Sequence, residues 1–335
     1  MNPGTHQYID RHTGRVQTET LVADQTIAFL YAAVRENAPA MFNLLVSARV
    51  SNLLGVLCFD LPLNKTIPDP ARFLHRRGIP FREIFGPVNH LNTFRRFFER
   101  KIRFWECRPM TDDHRVVVSP ADARILPGSF ADNRHLCIKE KFFQYDELIG
   151  MDRLRWQKTL RNGNYAVFRL TPDKYHYTHV PVSGRVKDIY EINGRFHSCN
   201  PGAVVQSVTP FSKNRRVVTV IDTDVANGTG VGLVAMVEIV ALMIGRIVEC
   251  YSPDRYEPVR PVQPGMFIKK GQPKSLFRPG SSTVVLLFEK NRIRFSPDLL
   301  ANTRRYDVKT RFSTHFGVPL VETDVNVRET IGKAV

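Results

Sequence analysis

The sequence predicts an α+β protein, with a helical N-terminal region over residues 1–110 and a β-rich domain over residues 111–335. Two observations support this prediction. Apolar residues before position 60 recur at the spacing of an amphipathic helix. From about residue 116 onward, short runs rich in β-branched residues recur between prolines, glycines and asparagines, as strands do. The chain has 335 residues, of which 43% are hydrophobic and 24% charged, so it can bury a large core and is not of the disordered type.

The first predicted helices lie between residues 20 and 60. The apolar positions at helical spacing are Ile27, Leu30, Tyr31 and Val34. Pro39 separates them from a second element, Met41–Phe59, which is rich in Leu, Val and Met and has a single charged residue. A helix here would be apolar around most of its surface. Packing on the protein's own core is the commoner use of such a helix, and lying in a membrane surface is the alternative.

The segment Thr93–Arg103 is basic and amphipathic. Helical spacing places Phe94, Phe97 and Phe98 on one face. Arginines surround the other face: Arg95, Arg96, Arg100 and Arg103. The commonest use of this pattern is a core-packed helix with a solvated charged face. The alternative is a surface that contacts the phosphates of a lipid or a nucleic acid.

The predicted strands are short β-branched runs bounded by turn residues: Val116–Val118, Tyr165–Leu170, Tyr175–Val182, Ala203–Val208, Arg216–Ile221, Leu233–Ile239 and Thr283–Phe288. The last run is almost wholly apolar, which is typical of a strand that is buried on both faces. Pro279 and Gly280 precede it and allow a tight turn.

The formal net charge of +16 predicts attraction to polyanions, either nucleic acid or an anionic membrane surface. The five cysteines are scattered and have no zinc spacing, which indicates a reducing compartment and no disulfide framework. Met1–Thr18 lacks the apolar region of a secretory signal. No uncharged apolar run of about 18 residues occurs, so we expect neither a signal peptide nor a transmembrane helix.

Three stretches carry residues suited to chemistry. Asp122 follows a predicted strand in a proline-marked turn, where it can orient a partner or simply cap the turn. His176 and His179 are three residues apart on a predicted strand and therefore point to opposite faces, and no third ligand lies near, so no metal site is expected. Ser281 and Ser282 lie between the turn and the last strand. A serine becomes a nucleophile with help from a base, and a histidine held by an aspartate is the usual one.

These stretches resemble the signature motifs of the phosphatidylserine decarboxylase family. Asp122 lies in a segment similar to the family's Ser-Pro-Ala-Asp-Gly-Arg-Val motif, and His176 and His179 lie in one similar to its Tyr-His-Arg-x-His-x-Pro motif. Ser281–Glu289 is similar to its Gly-Ser-Thr-Val-Val-Leu-Leu-Phe motif. Shorter matches extend the resemblance over almost the whole chain: Phe97–Lys101, Arg108-Pro109, Asn200-Pro201, Lys213–Arg216, Val237–Gly245 and Glu329–Gly332.

The resemblance implies a self-cleaving, pyruvoyl-dependent carboxy-lyase that converts phosphatidylserine into phosphatidylethanolamine and CO₂. In the family, a serine hydroxyl attacks the preceding carbonyl and the chain breaks. The serine becomes a covalent pyruvoyl group, which forms a Schiff base with the substrate amine. By this pattern His179 would activate the serine, Asp122 would hold the ring of His179, and His176 would lie near the substrate as a proton donor.

The register of the last strand predicts which of the two serines is cleaved. Gly280-Ser281 preserves the family's Gly-Ser pair, but Ser282 directly precedes the threonine and the apolar strand, as the family's serine does. A shift of one residue would exchange the two faces of the strand. We therefore expect cleavage between Ser281 and Ser282, giving a β chain of residues 1–281 and an α chain of residues 282–335. Cleavage between Gly280 and Ser281 is the alternative.

The resemblance, the charge and the absence of a membrane-spanning run together indicate a peripheral enzyme on the cytoplasmic side of a membrane, drawn to phosphatidylserine and anionic lipid. The family implies a homodimer, and no nucleic-acid partner is expected. Two alternatives stay open. The chain can be a pyruvoyl-dependent decarboxylase of a soluble amino acid, or an unprocessed, non-catalytic basic binding protein.

Overall fold

The computed structural model describes residues 4–47, 49–50, 53, 66–130, 142–207, 209–242, 246–280 and 282–335. It confirms the predicted α+β class. The strands are β1 (Gln7–Asp10), β2 (Val16–Thr18), β3 (Val116–Val118), β4 (Ala123–Ser129), β5 (Asn164–Leu170), β6 (Tyr177–His179), β7 (Gly184–Ile192), β8 (Arg216–Asp222), β9 (Leu233–Val240), β10 (Ile247–Glu249), β11 (Phe267–Ile268), β12 (Pro273–Phe277), β13 (Ser282–Phe288), β14 (Ile293–Phe295), β15 (Thr323–Val325) and β16 (Thr330–Ala334).

Short helices connect the strands. The α-helices are α1 (Asp24–Phe29), α2 (Arg35–Asn37), α3 (Pro39–Leu45), α4 (Pro70–Arg76), α5 (Phe94–Phe98), α6 (Phe104–Cys107), α7 (Tyr145–Ile149), α8 (Leu154–Leu160), α9 (Pro201–Gln206), α10 (Pro210–Lys213), α11 (Pro297–Thr303) and α12 (Arg311–Phe316). A π-helix spans Leu30–Val34, and 3₁₀-helices span Phe81–Glu83 and Val88–His90. Within the described ranges, none of the helices has the length and apolar character needed to traverse a bilayer.

A ten-stranded sheet organises the molecule, in the order β11-β7-β8-β9-β13-β5-β4-β15-β1-β2. Strand β13 lies near its middle and pairs antiparallel with β5 and β9, so that Ser282 lies opposite Leu170 and Val240. All seven residues of β13 are buried. The strand predicted from the apolar run is therefore confirmed, and it is buried on both faces because neighbouring layers cover the sheet on each side.

The two faces of β13 contribute to different cores. Val284 and Leu286 belong to a core that includes Val180 and Phe277, next to the small sheet β10-β12-β6. The alternate residues of β13, whose side chains point to the other face of the sheet, pack into a second core that is rich in side chains from helices. Because side chains alternate along a strand, Ser282 points towards the side of the small sheet, like Val284.

The N-terminal region contains both the predicted helix and unpredicted strands. Helix α1 and the π-helix confirm the helical spacing, and they bury Tyr31 and Val34. Strand β1, however, pairs in parallel with β15, close to the other end of the chain. A local apolar pattern does not reveal such a long-range pairing, which explains why the sequence indicated helix alone for this region.

Two other local predictions have different outcomes. The strand predicted over Ala203–Val208 is wrong. Helix α9 occupies residues 203–206 because Asn200 accepts a hydrogen bond from the N–H of Gly202 at 2.8 Å and Pro201 fills the first helical position. The predicted element Met41–Phe59 is described only in part. Helix α3 covers its beginning, and most of the remainder lies outside the described residues.

Candidate active site

Ser282 begins β13 with a buried and unsatisfied hydroxyl. The residue is 1% exposed, and its Oγ makes no hydrogen bond within the described structure. Gly280, two residues earlier, has a φ of 150°, which glycine tolerates far better than other residues. Ser281 lies outside the described residues. A buried hydroxyl without a partner is uncommon in folded proteins and marks Ser282 as a candidate reactive group.

A cavity of about 370 Å³ opens next to this serine. Its wall includes Gly280 and also Leu170, which lies opposite Ser282 across β5 and β13. Apolar side chains form most of the wall, among them Phe97 and Phe98. Phe94, at 40% exposure, also lines the cavity and therefore marks its solvent end. The cavity thus extends from residues that neighbour Ser282, in sequence or across the sheet, to the surface.

His176 lies against the wall of this cavity. Its ring stacks on Phe98 with the ring centroids 3.5 Å apart and the planes 7° apart. The side chain is fully buried, and neither ring nitrogen makes a hydrogen bond to a described residue that meets the usual distance and angle limits. Burial, helped by the nearby Arg100 guanidinium, lowers the pKa of His176 to about 3. The ring is therefore neutral and has unused donor and acceptor capacity.

His179 points to the opposite side of β6, into an aromatic cluster, as the spacing predicted. Its Nδ1 lies 2.8 Å from the carbonyl oxygen of Gly271, and its Nε2 lies 3.0 Å from the hydroxyl of Tyr175. Because a carbonyl oxygen can only accept, Nδ1 carries the proton and Nε2 accepts from Tyr175. Burial lowers the pKa of His179 to about 3, although the Gly271 carbonyl opposes this shift. The neutral ring has its basic nitrogen oriented towards Tyr175.

Asp122 is buried nearby but is bound by other groups. Its Oδ1 accepts from Arg108 Nε at 3.1 Å and from the N–H of Val327 at 2.7 Å, and its Oδ2 accepts from Arg108 Nη2 at 2.8 Å. Burial raises the pKa of Asp122, but the Arg108 guanidinium outweighs burial and holds that pKa below its ordinary value. Asp122 acts on His179 through its charge, which favours the protonated ring. In the described structure the ring is oriented by hydrogen bonds with the Gly271 carbonyl and the Tyr175 hydroxyl, and by none with Asp122.

A buried ion pair lies on the same side of the large sheet as Ser282, and sequence reasoning did not single it out. Glu238 of β9 and Lys274 of β12 form a salt bridge in which both side chains are 0% exposed. Thr178, next to His179, donates to Glu238 Oε1 at 2.6 Å, and Ser275 donates to Oε2 at 3.3 Å. The available signal was a glutamate inside an otherwise apolar strand, which calls for a buried partner.

A second buried network joins the two ends of the chain. Arg169 donates to Glu19 and Glu322, with four N···O distances between 2.6 and 3.0 Å. His6 Nε2 lies 2.9 Å from Glu322, while its Nδ1 accepts from the N–H of Arg311 at 3.2 Å. His6, Glu19 and Glu322 are close enough together to hold a metal ion. Arg169 already saturates the two carboxylates, so the donor set fits an ion-pair network better than a metal centre.

Comparisons with known proteins identify relatives of the chain. The family model described as phosphatidylserine decarboxylase matches residues 94–316. The chain is 30% identical over 294 residues to the phosphatidylserine decarboxylase proenzyme of Chlamydia trachomatis serovar L2, covering 88% of this chain and 90% of that protein. It is 28% identical over 312 residues to the proenzyme of Fusobacterium nucleatum subsp. nucleatum, covering 93% and 96%. It is 32% identical over 306 residues to the phosphatidylserine decarboxylase proenzyme 2 of Oryza sativa subsp. japonica, covering 88% of this chain and 45% of that protein.

Proposed function

The chain belongs to the phosphatidylserine decarboxylase family, and from this membership we propose how its residues convert phosphatidylserine into phosphatidylethanolamine and CO₂. The family is one of proenzymes and carboxy-lyases. We propose that this chain cleaves itself between Ser281 and Ser282 and that Ser282 becomes a covalent pyruvoyl group. The observation that carries the proposal is the buried Oγ of Ser282, which has no partner among the described residues, close to a cavity whose wall includes Gly280 and Leu170.

The residues around Ser282 fit such a group. The serine is nearly inaccessible to water, and an apolar cavity lies beside it, so a reactive carbonyl would be protected from bulk solvent. A pyruvoyl group supplies a carbonyl that reacts with the substrate amine and withdraws electrons as CO₂ leaves. Apolar surroundings favour the loss of the carboxylate charge, because they stabilise a charged group less than water does.

Strand register favours Ser282 as the cleaved residue. In the described structure Ser282 is already part of β13, opposite Leu170 and Val240, and its side chain shares a face with Val284. Gly280 belongs to the cavity wall. We propose that the break occurs between residues 281 and 282, with cleavage before Ser281 as the competing outcome.

We assign proton transfer to the two histidines. His179, neutral and with Nδ1 holding its proton, has the basic Nε2 that could accept the proton of the serine hydroxyl. To do so it must exchange its hydrogen bond with Tyr175 for one with Ser282. His176 lies against the cavity wall, and its ring nitrogens have no hydrogen bond of normal geometry to a described residue, which suits a donor to the substrate carbon after CO₂ leaves. Asp122 would act on His179 as a buried negative charge held by Arg108.

The product chains would remain one folded unit. Residues 282–335 provide β13 in the middle of the large sheet, β15 in the same sheet, and β14 and β16 in a three-stranded sheet with β3. Their partners all lie in residues 1–281 apart from the β14–β16 pair. Cleavage removes one peptide bond and leaves these ladders intact. The homodimer implied by the family is part of this proposal.

We further propose that the enzyme docks on the anionic surface of a membrane, at the cytoplasmic leaflet. The net charge of +16 favours such a surface. Val22 lines the cavity and is 60% exposed, and Phe94 lines it and is 40% exposed. Apolar side chains at the rim can enter the headgroup region while a lipid enters the cavity.

The test compares substrates after cleavage has been verified. Purified enzyme is incubated with phosphatidylserine, with free serine and with free aromatic amino acids, and released CO₂ is measured. We expect CO₂ from the lipid and none above background from the free amino acids. Release from a free amino acid alone would replace the lipid by a soluble substrate. A Ser282→Ala variant should stay uncleaved and inactive.

A further inference from the structure

The cavity wall contains two arginines, and one of them is already neutralised. Arg169 is 4% exposed, and its guanidinium is held by the carboxylates of Glu19 and Glu322. Both carboxylates are themselves nearly buried. An incoming anion would have to displace one of them and leave it unpaired in the protein interior, which is strongly unfavourable. Arg169 is therefore a poor site for a substrate anion.

Arg77 is the other arginine of this wall, and its side chain is accessible to a ligand. It caps the C-terminal end of α4 and is exposed to solvent. Its guanidinium lies over the ring of Phe73, 5.0 Å from the centroid. Phe73 also lines the cavity. No ion pair joins Arg77 to a carboxylate in the parts of the chain that the structure covers. The stacking orients the guanidinium at the cavity's solvent end without neutralising its charge.

Thr171 is a buried polar residue of the same cavity wall. Thr171 lines the cavity, is 5% exposed, and its Oγ1 makes no hydrogen bond of normal geometry to a described residue. The Thr171 hydroxyl lies near Asp173 and helps to lower the pKa of that carboxyl, which burial raises. The distance and angle between the two side chains are not those of a normal hydrogen bond. Thr171 directly follows Leu170, which faces Ser282 across the strands. An unsatisfied buried hydroxyl in a cavity wall indicates a polar ligand group at that depth.

We propose that Arg77 forms the phosphate subsite of this cavity, binding the phosphate diester of the lipid substrate while the serine headgroup extends past Thr171 towards Ser282. The guanidinium provides a planar pair of donors for phosphate oxygens. The inference rests on the proposed lipid substrate and makes Arg77 the residue that distinguishes it from a free amino acid, which has no phosphate. Arg77 lies outside residues 94–316, which the family model matches.

Steady-state kinetics provide the first test. Wild type, Arg77→Gln, Arg77→Lys and Arg76→Gln are assayed with dioctanoyl phosphatidylserine in neutral mixed micelles. Arg76 is the matched control because it is the preceding, exposed residue of the same helix and does not line the cavity. We expect Arg77→Gln to raise KM about tenfold, equal to about 1.4 kcal/mol, with kcat within about twofold. Arg77→Lys should raise KM less, and Arg76→Gln should leave it unchanged.

Binding to the uncleaved Ser282→Ala chain provides a second test that does not depend on catalysis. Arg77→Gln in this background should weaken binding of dioctanoyl phosphatidylethanolamine about tenfold and leave binding of dioctanoylglycerol, which lacks phosphate, unchanged. Equal KM changes for Arg77→Gln and Arg76→Gln would overturn the subsite. So would unchanged phospholipid binding by Arg77→Gln. If the cleaved wild type releases no CO₂ from the lipid, the proposed substrate fails, and the binding comparison still decides the role of Arg77.

Discussion

Replacing Lys274 by methionine tests the buried ion pair that links β12 to β9. The experiment uses the Ser282→Ala background, so that a single uncleaved chain unfolds. Glu238 and Lys274 are both 0% exposed. After the substitution, Glu238 keeps the hydroxyls of Thr178 and Ser275 but loses its only charged partner among the described residues. Two hydroxyl donors do not balance a buried carboxylate charge.

The expected loss in the free energy of unfolding follows from the burial of this ion pair. Removing one partner of a buried ion pair costs about 3–5 kcal/mol. Unfolding entropy is roughly 2.1 cal/mol/K per residue, so for 335 residues a loss of this size lowers the thermal midpoint by roughly 4–7 °C. The double variant Glu238→Met/Lys274→Met removes both charges at similar volume, and its stability should lie within about 1 kcal/mol of the parent.

Urea unfolding followed by circular dichroism, together with calorimetry, measures these differences. Lys290→Met is the control, because Lys290 is exposed and its replacement should change the free energy of unfolding by less than about 0.5 kcal/mol. The reasoning is refuted if Lys274→Met costs no more than Lys290→Met. If the double variant is as unstable as Lys274→Met, lost packing and not an unpaired charge causes the effect.

Three further predictions concern histidine ionisation and the cleaved chains. Because burial lowers the pKa of His179 to about 3, its base form dominates at every pH above that value, and the rate of self-cleavage of freshly synthesised chain should be flat from pH 8 to pH 5.5. A base with the ordinary pKa of about 6.5 would instead slow roughly tenfold over that range, and observing this decline would disprove the assignment. Burial likewise lowers the pKa of His197 to about 4, so its stabilising effect is complete above pH 6.5 and declines as the pH falls towards 4. His197→Gln should therefore reduce the slope of unfolding free energy between pH 6 and 5 by about 1.2 kcal/mol per pH unit, as measured by urea titrations, and an unchanged slope would show that His197 is not neutral and buried. Finally, size-exclusion chromatography should elute residues 1–281 and 282–335 together in native buffer and separate them only in denaturant, because β13 is paired on both sides. Separation in native buffer would mean that the ladders do not hold the fragments.

The sequence predicted strands well where the pattern was local and poorly where partners were distant. The apolar run Thr283–Phe288 predicted β13 almost to the residue. The pairing of β1 with β15 left no local trace, since both strands are short and lie at opposite ends of the chain. Ala203–Val208 appeared β-branched enough for a strand, but the Asn200–Pro201 cap outweighed that propensity. Capping residues deserve more weight than short β-branched runs in such segments.

For the site, the sequence indicated residue types more successfully than their partners. Asp122, His176 and His179 were named from motif resemblance, and the structure buries all three. The groups that hold His179, a backbone carbonyl and a tyrosine hydroxyl, were not predicted. Backbone carbonyls have no side-chain signature, so sequence patterns cannot indicate their position. The arginine that binds Asp122 was likewise visible only as part of a motif match.

The buried Glu238–Lys274 pair has a recognisable signal in the sequence. Glu238 interrupts the otherwise apolar run Leu233–Ile239, from which the strand was predicted. A glutamate in a strand that is otherwise buried requires a cation or several donors. Lys274 precedes the turn before Ser282, which made it a reasonable candidate partner.

The intact mass of the purified chain under denaturing conditions tests the central claim most directly. We predict two fragments, residues 1–281 and residues 282–335, with the smaller one beginning in a pyruvoyl group that borohydride reduces. Ser282→Ala should abolish cleavage, while Ser281→Ala should still cleave at the same bond. A single species at 38.3 kDa would contradict self-processing, and fragments that meet between Gly280 and Ser281 would contradict the register argument for Ser282.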